Sequence, residues 1–300
     1  MDAGSGPSTS LETARATDPG RVRPENEDYV LTDRILLSGT AFALGLVADG
    51  MGGGVRGADA SRTAAEAACR SLHSSGLDRP LDALFAAVQA AQDAVLLYSA
   101  NEGFEGASFG TTLVIALVDE TSGDAVVANV GDSRAYIVDD RGARPISRDH
   151  SIVAERVAAG RLTPAEARHA PDRNVLTRAV GSRHAVLVDL FGPRGLRPGD
   201  RLLLCSDGIH GLLEDEEIAT TSGRSSAADL PAALIAQANE RGGLDNASVV
   251  VIEATQPDGA PSARASGPLQ FLKAMRRDDS WPFVTRRVSL ERSVGSGERR

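Results

Sequence analysis

The chain has 300 residues, room for one or two domains, and 42% of them are hydrophobic, enough for a sizeable core. Aromatic residues make up only 4%, so that core must be built from Ala, Val and Leu. A formal net charge of −9 disfavours nucleic acid or an anionic membrane as the main partner, because both need basic surface.

Residues 1–17 are rich in Gly, Ser, Thr and Ala without periodicity and read as a disordered N-terminal arm. Compact patterning covers 18–254. Its first strand, Ala41–Ala48, is followed by two long helices at about 57–75 and 80–99. In the second, Leu81, Leu84, Phe85, Val88, Ala91 and Val95 share a face. Strands are expected at about 111–119, 124–130 and 134–139, with turn chemistry at Gly123-Asp124 and Asp139–Gly142. Two short helices follow at about 151–159 and 164–169. The second opens on Thr163-Pro164-Ala165-Glu166, a capping box with Pro at the first helical position. Strands return at 186–190 and 201–206, a helix at 227–241 and a last strand at 247–253. Clustered strands with short turns and paired helices argue for antiparallel sheets covered by helices, an α+β class, and against regular βαβ alternation.

Residues 255–300 open with a Pro/Gly-rich linker and then turn basic, nine Lys+Arg against five Asp+Glu. They read as a flexible tail in which 269–275 could form a short amphipathic helix, and Ser289 follows Arg286-Arg287-Val288, a pattern that suits a basophilic kinase. Cys69 and Cys205 lie in a helical stretch and a strand; they make neither a disulfide framework nor a zinc signature, which fits a reducing, cytoplasmic setting. No run of about 18 uninterrupted apolar residues predicts a membrane span. The N-terminus has no basic region followed by an apolar one, so no secretory signal is expected.

Three apolar runs each end in aspartate. Ala41–Ala48 meets Asp49-Gly50, Ala125–Val130 meets Gly131-Asp132, and Leu202–Ser206 meets Asp207-Gly208. A fourth, Asp245, stands just before Ala247–Ile252. Buried strand ends are rigid, and like charges held there are costly unless cations neutralise them. Hard divalent ions with oxygen ligands answer that need, which suggests an all-carboxylate metal centre on a β scaffold. Two cations held close together lower the pKa of a bridging water and give a hydroxide at neutral pH. Read singly, each Asp-Gly is an ordinary turn.

Seven short motifs occur in a defined order: Arg23-Pro24-Glu25-Asn26-Glu27-Asp28, Asp49-Gly50-Met51-Gly52-Gly53, Gly110-Thr111-Thr112, Gly131-Asp132-Ser133-Arg134, Asp149-His150-Ser151, Ser206-Asp207-Gly208 and Asp245-Asn246. Over about 18–253 the chain resembles bacterial members of the metal-dependent Ser/Thr protein phosphatases, the PPM or type 2C family. The resemblance implies a β-sandwich of two antiparallel sheets flanked by helix pairs, four layers α-β-β-α, with a small helical flap at about 149–180. It implies Mn²⁺ or Mg²⁺ as cofactor, two ions and a third in bacterial relatives. Asp49 would bridge two ions and the Gly50 carbonyl would bind the second. Asp207 and Asp245 would complete the first, and Asp132 would join Asp207 at the third. Glu27 and Asp28 would lie around the metals, partly through water, and Arg23 would hold the substrate phosphate. The implied reaction is attack of hydroxide on phosphoserine or phosphothreonine in proteins, opposing a Ser/Thr kinase, by a monomer that forms no phosphoenzyme.

Bland readings stand beside these roles. Asp132 could be a hairpin turn residue, Glu27 and Asp28 a solvated strand start, and Arg23 a surface ion-pair partner. Gly110-Thr111-Thr112 reads as a close backbone approach, and Cys205 as a small core residue. His73 and His210 read as surface or packing residues. Ser206 either orients Asp207 or is a plain strand residue. Where many relatives have His after Asp-Gly-Met-Gly-Gly, this chain has Gly54; where they have His-Pro in the flap, it has Ala170-Pro171, with His169 one place earlier. Met51 replaces the histidine proposed as general acid in eukaryotic relatives, leaving His150 and His169 as candidates. These departures motivate an alternative, a catalytically weak phosphoprotein-binding module of the same fold. A hydrolase of small phosphate esters is a third reading.

Overall fold

The computed structural model describes residues 10–52, 55–104, 109–256 and 281–288. Gly54, the 269–275 segment and Ser289 lie outside the described residues. In chain order the elements are β1 (Ser10–Asp18), β2 (Asp28–Leu37), β3 (Thr40–Met51), α1 (Val55–His73), α2 (Pro80–Asn101), β4 (Gly110–Thr111), β5 (Leu113–Asp119), β6 (Asp124–Val130), β7 (Arg134–Asp139), β8 (Gly142–Pro145), α3 (Ile152–Ala158), α4 (Pro164–His169), β9 (Leu187–Gly195), β10 (Arg201–Cys205), α5 (Asp207–His210), α6 (Asp215–Arg224), α7 (Leu230–Glu240), β11 (Ala247–Thr255) and β12 (Phe283–Arg287).

One sheet runs β1-β11-β10-β7-β8 and the other β12-β9-β6-β5-β3-β2, with β4 pairing β3. Every pairing is antiparallel. Two-residue alternation sorts each strand between layers. Ala43 and Val47 of β3 face inward with Val114 and Ala116, meeting Leu202, Leu204, Val250 and Ile252 of the other sheet. Leu44 and Leu46 point the other way and pack with Ala64, Ala68, Leu84 and Val88 of α1 and α2. Leu203, Val249 and Val251 meet Ile218, Leu230 and Leu234 of α6 and α7. Three apolar layers thus separate four structural ones, as the resemblance implies. By length and composition α2 could cross a membrane, but Ala83, Leu84, Ala87, Val88, Ala91 and Val95 are buried in the protein's own core.

Two sequence expectations fail at the chain ends. The N-terminal arm is ordered from Ser10, because Ser10–Asp18 pairs with Ala247–Thr255 over its whole length. The C-terminal segment, expected to be a flexible tail, supplies a strand, because Phe283–Arg287 pairs with Leu187–Phe191 of β9. Both are edge strands, held by backbone pairing to a strong neighbour more than by apolar alternation of their own. The sequence does not predict α6, in which Ile218 is the one large apolar residue among small and polar ones. The expected 111–119 strand is interrupted at Thr112, which is diverted to serve Asp49.

Candidate metal centre

Asp49 lies two residues before the end of β3, directly opposite Asp28, the first residue of β2. Its backbone is clamped from the next strand: Thr111 Oγ1 donates to the Asp49 carbonyl at 2.8 Å, Thr112 N donates to the same oxygen at 2.9 Å, and Asp49 N donates to Thr112 Oγ1 at 3.0 Å. The Gly110-Thr111-Thr112 motif is therefore structural and aims the first carboxylate. Gly50 follows in a passage that admits no side chain. A Cβ there would stand 2.0 Å from the Gly57 carbonyl oxygen and 2.7 Å from that of Glu27.

Asp207 opens α5 immediately after β10, and Asp245 precedes β11, the strand paired with β10. The two strand ends are sutured closely: a Cβ on Gly208 would sit 2.0 Å from the Asn246 carbonyl oxygen. Ser206 serves neither of the roles expected of it. Its hydroxyl donates to Asp28 Oδ2 at 2.7 Å and accepts from Ser248 N at 3.0 Å, so it fixes Asp28 across the sandwich. Asp132 sits on the turn between β6 and β7. The His210 Nε2–H donates to its carbonyl at 2.9 Å, and His150 Nδ1 accepts from Gly131 N at 3.1 Å. Burial and Arg134 push His210 down to about 3, so it stays neutral. Beside the turn, Arg134 grips Asp149 with two bonds of 2.7 and 2.6 Å.

The loop before β2 carries Arg23 and Glu27. Asn246 organises it, accepting from Glu27 N at 2.8 Å and donating to the carbonyls of Pro19 at 3.0 Å and Glu25 at 2.8 Å. Sequence reasoning used Asn246 only as part of a motif. Its partners lie more than 200 residues away, so no local signal exposes this role. Arg23 Nη2 donates to Asp245 Oδ2 at 2.7 Å, and that bond, with the nearby carboxylates of Glu27 and Asp207, raises the guanidinium above its ordinary value.

The structure therefore gathers Asp28, Asp49, Asp132, Asp207 and Asp245 at one end of the sandwich, with Arg23 and Glu27 beside them. Burial, then the charges of Asp28, Asp207, Asp132 and Asp245, push Asp49 well above the usual carboxylate range. Burial, then Asp207 and Asp149, do the same to Asp132. Burial and the charges of Asp207 and Asp245 hold Asp28 at about 7 against its serine hydrogen bonds. Asp207 is pushed up to about 6, by burial and then Asp245. Asp28 Oδ1 and Asp207 Oδ1 are buried without a hydrogen-bond partner. An all-oxygen donor set with mutual repulsion and buried orphan oxygens fits hard divalent cations.

From this end a cavity of about 790 Å³ extends past the flap. Asp132, Asp207 and Asp245 line it at the carboxylates, Arg148, Arg173 and Arg178 on the flap side, and Phe283 and Thr285 from β12. The flap carries α3 and α4, and the Thr163–Glu166 capping box is formed as expected. His169 is exposed at the end of α4, while His150 is buried with both ring nitrogens engaged, Nε2 lying 3.2 Å from Asp189 Oδ2.

A family model described as Protein phosphatase 2C matches residues 25–241. Protein phosphatase PhpP of Streptococcus pneumoniae is 32% identical over 257 residues, covering 83% of this chain and 99% of that protein. The serine/threonine phosphatase PstP/Ppp of Mycobacterium tuberculosis aligns with a TM-score of 0.71 and 33% identity, over 82% of this chain and 99% of its own. The catalytic domain of a serine/threonine phosphatase PstP, in complex with two manganese ions, aligns with a TM-score of 0.70 and 32% identity, over 83% of this chain and all of its own.

Proposed function

Since the chain belongs to the protein phosphatase 2C family and is a metal-dependent protein-serine/threonine phosphatase, we propose that Asp49, the Gly50 carbonyl, Asp207 and Asp245 hold two Mn²⁺ or Mg²⁺ ions. Asp132 joins Asp207 at a third, and Glu27 and Asp28 stand around them. The observation that carries this reading is the convergence of five mutually repelling carboxylates, two of which bear buried oxygens without a hydrogen-bond partner. The metal ions, when bound, supply an activated water as nucleophile and offset charge on the phosphate.

The protein's own residues supply position. Thr111 and Thr112 fix the Asp49 backbone, Ser206, itself held by Ser248 N, fixes Asp28, and His210 fixes the Asp132 carbonyl. Arg23, exposed and bonded to Asp245, is placed to exchange that carboxylate for substrate phosphate, whose oxygens match its fork. His210 is held neutral and aimed at a carbonyl, and His150 has both nitrogens engaged, so neither is assigned as general acid. The catalytic unit in this reading spans Ser10–Thr255 with Trp281–Val288 added. It works as a monomer on phosphoserine and phosphothreonine proteins, opposing a Ser/Thr kinase. Cys69 and Cys205, both free thiols, suit a reducing cytoplasmic setting.

Phosphate release from a phosphothreonine peptide, with and without Mn²⁺, tests the assignment. Wild-type release should require the metal, and Asp207→Ala should abolish it. Undiminished release by that variant would remove Asp207 from the centre.

A further inference from the structure

β12 lies outside the 25–241 region that the family model matches, yet it is built into the molecule. Trp281 is 7% exposed and packs in the layer between the sheets; Val288 is fully buried against the helix side. Between them the strand alternates. Arg286 turns to α2, with Nη1 2.5 Å from Asp82 Oδ1. Phe283 and Thr285 share the other face and line the cavity that starts at Asp207 and Asp245. Thr285 Oγ1 donates to Asp189 at 2.7 Å, the carboxylate that also holds His150 and Arg178. Phe283 stacks on Phe191 with ring centroids 5.9 Å apart, and the Arg148 guanidinium lies 4.1 Å from the Phe283 ring centre.

We propose that β12 forms the distal wall of the substrate groove, and that Phe283 with Arg148 makes a subsite for acidic residues flanking the phosphorylated Ser or Thr. The proposal rests on the phosphatase reading and extends it to the substrate's neighbouring sequence. Two observations select the occupant. The cavity is far larger than one phosphorylated side chain and falls in the range, about 300–1,000 Å³, that accommodates drug-sized ligands, so it can take several residues of an extended segment. Its charge is also asymmetric. Asp132, Asp207 and Asp245 sit at the catalytic end, whereas on the flap side Arg148, Arg168, Arg173 and Arg178 outnumber the carboxylate of Glu155, and Arg148 and Arg173 make no salt bridge to any carboxylate among the described residues. Arg148 is exposed and its planar group is already oriented by the aromatic ring, so little further ordering is required to meet a carboxylate. Phe283, 46% exposed, offers its remaining surface to the aliphatic part of the same side chain.

The experiment compares the full-length wild type with Phe283→Ala and Arg148→Ala in Mn²⁺. The substrates are a small aryl phosphate, a phosphothreonine peptide flanked by acidic residues, and the same peptide flanked by glutamines. The aryl phosphate reaches only the carboxylate end. Both variants should turn it over within about twofold of wild type. For the acidic peptide KM should rise about five- to tenfold with kcat retained, a loss expected for one partly exposed cation–π and charge contact. The glutamine peptide should change less. Unchanged KM for the acidic peptide in both variants would overturn the subsite, as would equal losses on aryl phosphate and peptide, which mark a structural defect. Arg148→Ala removes only an exposed side chain, so it decides the matter even if Phe283→Ala loosens β12. Wild-type protein inactive on all three substrates would overturn the phosphatase reading itself, and the subsite with it.

Discussion

Replacing Asn246 by alanine releases the loop that carries Arg23 and Glu27 without removing a carboxylate. The side chain is 4% exposed and makes three hydrogen bonds, one from Glu27 N and two to the carbonyls of Pro19 and Glu25. Each such bond contributes about 1 kcal/mol net, so the variant should lose about 3 kcal/mol. For a domain of this size that corresponds to a fall in melting temperature of about 6–12 °C. The freed backbone groups lie on a largely exposed loop that water can reach, so the loss should not approach that of a buried unpaired charge. Function should fall further than stability suggests. The released loop carries both Arg23 and Glu27, and kcat/KM for a phosphopeptide should drop by about tenfold or more, measured well below the melting transition. Circular dichroism melting and phosphate release, both at saturating Mn²⁺, provide the two readouts. A melting temperature within 2 °C of wild type together with full kcat/KM would refute the view that Asn246 organises this loop.

Three further outcomes follow from the same geometry. Metal-free protein should lose stability as pH rises from about 4 towards 7. Asp28 at about 7 and Asp207 at about 6 keep protons in the folded state that the unfolded chain releases near 3.8, so the native state binds more protons across that window. Melting scans at pH 5 and pH 7.5 should therefore rank pH 5 higher without metal, and added Mn²⁺ should recover more stability at pH 7.5; the opposite ranking would contradict the carboxylate repulsion. Arg134→Ala strands the Asp149 carboxylate beside Asp132, and breaking this half-buried pair should cost about 2–3 kcal/mol in urea unfolding, between the values for an exposed and a fully buried pair. Arg23→Lys keeps the charge but loses the fork, so kcat/KM should fall by about ten- to a hundredfold with melting temperature unchanged, as steady-state kinetics on a phosphopeptide would reveal.

The cluster of carboxylates is more legible in the sequence than the edges of the fold. Asp49, Asp132 and Asp207 stand out because each follows an apolar run that reads as buried, and burial is what makes a carboxylate there unusual. The inner and outer faces of β3 were likewise written in its alternation of Ala43 and Val47 with Leu44 and Leu46. β1 was not legible. Leu11 faces the layer between the sheets while Ala14 and Ala16 face the helix side, so neither face carries an apolar run, and its place depends on the free edge of β11. β12 was hidden for the same reason, with Arg286 and Arg287 lending it the look of a solvated tail. Ser206 shows a different limit. Its position next to Asp207 suggested a local partner, but strand geometry sends its hydroxyl across the sandwich to Asp28. Such pairings join residues 178 positions apart and leave no trace in local sequence.

The central claim is that the aspartates at these strand ends hold the metal that drives dephosphorylation. Crystals grown with Mn²⁺ and measured at the manganese absorption edge test it most directly. The account predicts anomalous peaks within ligand distance of Asp49, Asp207 and Asp245, and their loss in Asp207→Ala. Manganese bound elsewhere, with none at these carboxylates in an active wild-type preparation, would contradict it.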